Sequence, residues 1–121
     1  RNSMDAVLHG YDVLFEAGAN TTLGIVATNA PFTKTEMTKI AQMAQDGLAR
    51  TINPVHTMAD GDTVFALSTG ATNERAEISA IGAIGAIVLA RAILRAVTLA
   101  HSIPLFDLPA YRDYTRPHDK T

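Results

Sequence analysis

The stretch TTLGIVAT, residues 21–28, is short, rich in threonine, valine and isoleucine, and bounded by turn-forming residues on both sides. This composition predicts a buried strand. A second run of the same kind, TVFAL at residues 63–67, follows the turn sequence ADGD. Helical patterns lie before, between and after the two runs, so the sequence predicts an α/β or α+β fold.

Two helices are expected before and between the strands. Apolar residues recur at three- and four-residue spacing from Met4 to Phe15, which is typical of one face of a helix. Thr33 with Glu36 forms a capping-box pattern, which marks the start of the next helix. The positions of that helix that we expect to face the core are Met37, Ile40, Ala41, Ala44 and Leu48.

The longest helix is expected to begin near residues 72–73 and to run to about His101. Its most apolar part, residues 78–90, is shorter than the ~20 residues that a membrane-spanning helix needs. We therefore expect a buried helix of a soluble protein. Gly82 and Gly85 follow no strand, so they form no dinucleotide-binding motif, and we expect them to allow tight packing against a neighbouring backbone.

The bulk composition narrows the function classes. The chain has 121 residues, of which 47% are hydrophobic, and this suits one domain or part of one. Ten basic and 12 acidic residues give a formal charge of −2, so the chain lacks the excess positive charge typical of proteins that bind nucleic acid or anionic membranes. Cysteine is absent, which excludes disulfides and thiolate metal sites. No secretory signal is visible, and we expect a cytoplasmic protein without nucleic-acid or membrane partners.

Several common catalytic arrangements are missing from the sequence. There is no G-x-S-x-G motif and no phosphate-binding loop. The four histidines show no metal-ligand spacing; they are His9, His56, His101 and His118. His56 precedes the acidic turn and is close enough in sequence to contact a site there, although a loop histidine that is hydrogen-bonded locally or faces solvent is the simpler interpretation.

Two short motifs remain as candidates for chemistry, Asn20-Thr21-Thr22 at the start of one strand and Asp60-Gly61-Asp62 before the other. Each has an ordinary explanation, strand propensity for the first and a common turn for the second. Together they suggest a mechanism, because a threonine hydroxyl needs a base to become a nucleophile. If Thr21 becomes a chain terminus, its own α-amine, with a pKa of ~7.7–8.0, can take the proton.

The two aspartates are expected to assist that amine. Asp60 and Asp62 are two positions apart, so both point to the same face if the segment is extended. Their carboxylates can hold the amine and orient the hydroxyl. Two alternatives stay open: a capped turn that only shapes the strand entry, and a divalent-cation site, for which two carboxylates are few ligands.

Three blocks carry a resemblance to a known family: NTTLGIVATNA (20–30), AQMAQDGLARTINPVHT (41–57) and DGDTVFALSTG (60–70). In these blocks the sequence resembles the DmpA-like L-aminopeptidase/D-esterase hydrolases, which include the nylon-oligomer hydrolases. The resemblance implies a precursor that cuts itself before a serine or threonine, which then acts as the nucleophile. It also implies a layered α-β-β-α fold of the N-terminal-nucleophile type, no cofactor and no metal, and an oligomer, commonly a tetramer of cleaved protomers.

Carried over by position, the resemblance assigns Thr21 as nucleophile, Asn20 as the residue before the cut, and Asp60 with Asp62 as the acidic pair of the nylon-hydrolase branch. Residues 1–20 would then precede the cleavage point, and residues 21–121 would form the small subunit of a domain that a larger segment of the same precursor completes. The implied substrates are linear amides such as 6-aminohexanoate oligomers. Aminopeptidase or D-amino-acid esterase and amidase activity is the alternative within the family, and an uncut, non-catalytic assembly segment is the alternative outside it.

Overall fold

The structure is a computed structural model that describes residues 21–58 and 60–113. Its elements, in chain order, are strand β1 (Leu23–Thr28), helix α1 (Lys34–Ala44), helix α2 (Asp46–Ala49), strand β2 (Thr63–Ser68) and helix α3 (Ile78–Leu99). Two short 3-10 helices follow, Pro104–Phe106 and Tyr111–Asp113. The mixed α/β class is confirmed, while the helix predicted from Met4 to Phe15 lies outside the described residues.

The two strands form a parallel pair. Leu23 lies opposite Thr63 at the amino end, and Thr28 lies opposite Ser68 at the carboxyl end. Parallel neighbours cannot be joined by a tight turn, so the chain crosses over between them through α1 and α2. Both predicted strands are present, and β1 begins two residues later than the composition suggested.

Within residues 21–58 and 60–113, the helices cover one face of this sheet. Gly24 is buried, and a Cβ atom there would lie 3.0 Å from the Cδ1 atom of Leu89 on α3. On the opposite face the side chains of Leu23, Ile25 and Phe65 are 70%, 66% and 57% exposed. The expectation of a buried strand at residues 21–28 therefore holds for one face of β1 in the described part of the chain, although both faces of a parallel sheet are ordinarily covered.

The core lies where α1 and α2 pack against α3. Most of the predicted inward positions are buried, namely Met37, Ile40, Ala44 and Leu48, and Ala41 is half-buried. The predicted capping box is present, since the Thr33 backbone N–H donates to Oε2 of Glu36 at 2.7 Å and the Glu36 N–H donates back to Oγ1 of Thr33 at 3.4 Å. The Thr33 backbone N–H, followed by the Thr33 hydroxyl that also donates to Oε2 at 2.8 Å, holds the pKa of Glu36 below its ordinary value.

Small residues on α3 allow the helices to approach closely, as predicted. A Cβ atom at Gly82 would lie 2.5 Å from Sδ of Met43, and one at Gly85 would lie 3.4 Å from Cβ of Ala44. On the other side of the contact, a Cβ atom at Gly47 would lie 2.6 Å from the carbonyl oxygen of Ala86. Larger side chains at these positions would push the helices apart.

The start of α3 differs from the prediction. The helix begins at Ile78 rather than near residues 72–73, because Glu77 caps it by accepting a hydrogen bond from the Ala80 N–H at 2.7 Å. Hydrogen bonds from the backbone N–H groups of Ser79 and Ala80 lower the pKa of Glu77.

Helix α3 ends at Leu99, close to the predicted end near His101, but its burial differs from the prediction. The helix continues past residue 90 through Arg91 and Arg95, so its 22 residues are long and apolar enough, by length and composition alone, to cross a membrane. The core helix of a soluble protein passes the same test. Only 22% of its most apolar window is buried by the described part of the chain. The expected buried helix therefore buries only one stripe here, formed by Gly82, Gly85, Ala86 and Leu89.

Candidate active site

The candidate site lies at the amino end of the β1–β2 pair. The parallel pairing extends one step before the strands, where the Thr63 N–H donates to the Thr22 carbonyl oxygen at 3.0 Å. The Thr22 N–H then donates to Oδ1 of Asp62 at 2.9 Å. An aspartate carboxylate thus accepts the hydrogen bond of the residue that directly follows the predicted nucleophile.

Gly61 provides the space for Thr21. A Cβ atom built on Gly61 would lie 2.8 Å from Oγ1 of Thr21, which is closer than real Cβ contacts come. Thr21 itself is exposed. The sequence alone does not indicate this role for Gly61, because a glycine between two aspartates fits an ordinary turn equally well.

Asp60 has a different local partner from Asp62. Its Oδ2 accepts the Thr57 N–H at 2.8 Å, and its own N–H donates to the Thr57 carbonyl oxygen at 3.1 Å. These bonds close the turn that precedes β2. The expectation that both carboxylates share one face required an extended segment, but β2 begins only at Thr63 and the two carboxylates bind different backbone amides. Thr21, Gly61 and Asp62 are brought together, while Asp60 caps the neighbouring turn.

His56 contacts the same aspartate from the loop between α2 and β2. Its Nδ1 lies 3.9 Å from Oδ2 of Asp62, whose side chain is only 7% exposed, whereas the His56 side chain is 41% exposed. His56 has a φ of 58°, in the left-handed region that residues with side chains rarely adopt. The contact with Asp62 shows that His56 is not simply a solvent-facing loop residue.

The other candidate residues add nothing to this cluster. Asn20, His9 and His118 lie outside the described residues. His101 lies beyond the end of α3, where its Nδ1 is 2.6 Å from Nη2 of Arg112. Within residues 21–58 and 60–113, no three His, Cys, Asp or Glu side chains are grouped so that they could hold a metal ion.

An open apolar groove of about 820 Å³ begins beside the site. Thr22 is one of its lining residues, and β1 together with the carboxyl-terminal half of α3 forms its walls. The lining residues include Gly24 of β1, Leu89, Ile93 and Val97 of α3, and Tyr111. Such a lining favours contact with aliphatic groups over charged ones.

The sequence model of peptidase family S58 matches residues 2–108. The chain belongs to peptidase family S58. This is the DmpA family, so the resemblance found in the three sequence blocks is confirmed. Family S58 has the N-terminal-nucleophile hydrolase fold, and the mixed helices and parallel strands seen here are consistent with it.

Relatives within family S58 carry two kinds of name. The chain is 43% identical over 112 residues to an uncharacterized aminopeptidase of Mycobacterium tuberculosis (strain ATCC 25618 / H37Rv), covering 82% of this chain and 32% of the relative. It is 45% identical over 105 residues to an uncharacterized aminopeptidase of Mycobacterium leprae, covering 76% of this chain and 28% of the relative. It is 35% identical over 92 residues to the 6-aminohexanoate-oligomer endohydrolase of Paenarthrobacter ureafaciens, covering 67% of this chain and 26% of the relative. The chain thus spans about a third or less of the length of these relatives.

Proposed function

We propose that this chain is the nucleophile-bearing part of a self-cleaving amide hydrolase, with Thr21 as the attacking residue. The observation that carries the proposal is the position of Thr21, one residue before an amide that Asp62 holds at 2.9 Å and with its hydroxyl directly over Gly61. Membership of a peptidase family supports the reaction class.

The proposed reaction proceeds through an acyl-threonine. After the Asn20–Thr21 bond is cut, the free α-amine of Thr21 takes the proton from its own hydroxyl, and Oγ1 attacks the substrate carbonyl carbon. The tetrahedral intermediate collapses as the amine product leaves with that proton, which forms an ester on Thr21. Water then attacks the ester and releases the acid. During maturation the same hydroxyl attacks the Asn20 carbonyl carbon, and the Asn20–Thr21 C–N bond breaks as the Thr21 nitrogen leaves with the hydroxyl proton. Water then hydrolyses the resulting ester and frees the Asn20 carboxyl group and the Thr21 hydroxyl.

Asp62 and Asp60 have separate supporting roles in this proposal. Asp62 places a negative charge next to the start of β1, where it can stabilise the protonated amine of Thr21 as the reaction proceeds. Asp60 contributes the rigid turn that delivers Gly61 and Asp62, and its carboxylate adds to the negative field. Both remain predicted site residues.

The remaining part of the precursor is the proposed partner. Leu23, Ile25 and Phe65 expose an apolar sheet face, and an uncovered parallel sheet is uncommon. The chain spans about a third of its mycobacterial relatives, which leaves a larger segment available to cover that face. We propose that this segment supplies the second sheet and the oxyanion donors, and that cleaved protomers assemble as a cytoplasmic homo-oligomer, commonly a tetramer.

Linear aliphatic amides such as 6-aminohexanoate oligomers are the proposed substrates. The support is the apolar groove beside Thr22, together with the threonine nucleophile and the aspartate pair. Aminopeptidase activity is the second candidate, and the higher identity to the mycobacterial proteins named aminopeptidases, 43% and 45%, favours it. Incubating the full-length protein with both substrate types and identifying the products by mass spectrometry separates them. Internal cleavage of the oligomers supports the first candidate, and release of N-terminal amino acids alone supports the second.

Replacement of Thr21 tests the proposed nucleophile. We expect Thr21→Ala to leave one uncut, inactive polypeptide, because no hydroxyl remains to attack the Asn20 carbonyl. Thr21→Ser keeps a hydroxyl and should still cut itself. Thr69→Ala, at the opposite end of the sheet, is the matched control and should behave like the wild type. Intact-mass measurement reads out cutting in all four proteins, and normal cutting in Thr21→Ala would refute the assignment.

An uncut wild-type protein would support the non-catalytic alternative. In that case the intact-mass spectra of the wild type and of Thr21→Ala would each show one uncut polypeptide. Neither protein would release products from the substrates. The same mass spectra therefore separate an enzyme from an assembly segment.

A further inference from the structure

The Asp62 carboxylate has two oxygens with different surroundings. Oδ1 accepts the Thr22 N–H at 2.9 Å, while Oδ2 lies 3.9 Å from Nδ1 of His56. The Asp62 side chain is only 7% exposed, so water has little access to it. A shielded carboxylate is stabilised when both oxygens have a polar partner, and His56 is the ionisable side chain placed against the second one.

The backbone of His56 points to a use for its side chain. Its φ of 58° is easily adopted by glycine and is uncommon for residues with a Cβ atom, although histidine, asparagine and aspartate are among those that tolerate it best. A loop that required only this turn would be served by glycine. The imidazole instead lies beside the Asp62 carboxylate, which accepts the hydrogen bond from the Thr22 N–H.

We infer that His56 is a positioning residue for the Thr21 nucleophile, acting through Asp62; this inference rests on the proposed function. With its proton on Nδ1, the imidazole comes within hydrogen-bond range of Oδ2 after about 1 Å of movement. The carboxylate is then held from both sides, by His56 and by the Thr22 N–H, and cannot rotate away from the start of β1. His56 itself contacts neither substrate nor the reacting atoms.

The charged groups around the His56–Asp62 contact decide whether a side chain at position 56 attracts or repels the Asp62 carboxylate. Asp62 faces His56 directly, and Asp60 lies in the same loop. Cleavage adds the α-amine of Thr21 just before the start of β1. A donor at position 56 strengthens the hold on Asp62, whereas an additional acceptor there repels it. The sign of the effect therefore depends on the hydrogen-bonding character of the side chain and not on its size.

Two nearly isosteric substitutions separate these cases. His56→Asn tolerates the left-handed backbone and carries N–H donors close to the position of Nδ1. His56→Asp tolerates the same backbone and has the same shape but presents a like charge to Asp62. In the full-length protein we expect self-cleavage and kcat in His56→Asn within about threefold of the wild type, and about tenfold lower in His56→Asp with KM nearly unchanged.

His56→Gly completes the test by removing the side chain without straining the backbone. Its rates should fall between those of the asparagine and aspartate variants. Thermal unfolding of each variant, followed by circular dichroism, shows whether the fold is kept. Equal rates in the asparagine and aspartate variants, a wild-type rate in the glycine variant, or a change in KM alone would each overturn the inference.

Failure of the proposed function is visible separately. It appears in the wild-type protein, as an uncut polypeptide without hydrolytic activity, before any His56 variant is measured, and it would remove the positioning role as well. Failure of the inference alone appears as an active, self-cleaving wild type whose His56 variants do not follow the donor-to-acceptor order.

Discussion

The two ends of the β1–β2 pair are built from different chemistry. At the amino end, the carboxylates of Asp60 and Asp62 accept backbone N–H groups and an imidazole lies beside one of them. At the carboxyl end, Ser68 donates its hydroxyl to the Ala30 carbonyl oxygen at 2.6 Å, and Thr28 accepts the Ala30 N–H at 3.2 Å. The amino end therefore carries charged carboxylates, whereas the carboxyl end closes a turn with hydrogen bonds between uncharged groups.

This contrast is unusual for parallel strands. Ligand sites of open α/β sheets ordinarily lie at the carboxyl ends of the strands. Here the candidate site lies at the amino end, because the proposed nucleophile must become the first residue of its polypeptide and directly precedes β1. The carboxyl end leads into the cap of α1, where Thr33 and Glu36 start a helix. Substitutions at the amino end should therefore change catalysis, and those at the carboxyl end should change stability.

The largest expected effect comes from removing the charge of Asp62. Asp62→Asn keeps an oxygen that can accept the Thr22 N–H but has no negative charge, and we expect kcat to fall ~10²–10³-fold. Asp60→Asn should cost less, because asparagine serves well in turns and can still accept the Thr57 N–H. Steady-state kinetics of the matured variants measure both. Retained turnover with asparagine at both positions would rule out carboxylate chemistry.

An intermediate effect is expected at the glycines of the two ends. Gly61→Ala should lower kcat ~10–100-fold, because the new Cβ atom meets Oγ1 of Thr21 and turns the hydroxyl away. Gly70→Ala introduces the same methyl group at the carboxyl end, where there is open space but φ is 61°. It should destabilise the fold by about 1–2 kcal/mol with unchanged activity per folded molecule.

Steady-state kinetics and urea unfolding of both glycine variants test this difference. We expect kcat to fall in Gly61→Ala and the free energy of unfolding to fall in Gly70→Ala. An activity loss in Gly70→Ala as large as that in Gly61→Ala would show that the substitutions act through general destabilisation. The contrast between the two ends would then have no catalytic meaning.

The smallest effect concerns the pH dependence of the α1 cap. Hydrogen bonds from Thr33, backbone first, lower the pKa of Glu36. A carboxyl group with a lowered folded-state pKa adds stability above its unfolded value of ~4.3, and this stability is lost as the pH falls through the lowered pKa. The wild type should therefore have a slightly higher Tm than Glu36→Gln at pH 7, and the difference should be smaller at about pH 3.

Circular dichroism melts at both pH values measure the Glu36 effect. Glu74→Gln, another exposed glutamate, is the control for general charge effects. The kcat of Glu36→Gln should equal that of the wild type, because Glu36 lies beyond the carboxyl end of β1. A Tm difference that is equally large at the low pH would mean that the amide substitution, rather than the charge, is responsible.

Much of the local structure was predictable because its causes lie within a few residues. The apolar spacing from Met37 to Leu48 predicted the buried face of α1 and α2, and the Thr33–Glu36 pattern predicted their start. Gly82 and Gly85 indicated close helix packing, which the structure shows. The predicted start of α3 was too early. Several polar residues before Glu77 are equally good caps by composition, but it is the Glu77 side chain that accepts the hydrogen bond from the Ala80 N–H.

The candidate site was predictable only in part. The sequence by itself determined which residues are present: a threonine before a strand, a glycine between two aspartates and a histidine in the preceding loop. Tertiary structure alone decided that Gly61 lies under Thr21, that Asp62 binds the Thr22 amide 40 residues away, and that His56 lies beside Asp62. The physical reason is that strand register and loop closure bring distant residues together, and no spacing along the chain encodes that contact directly.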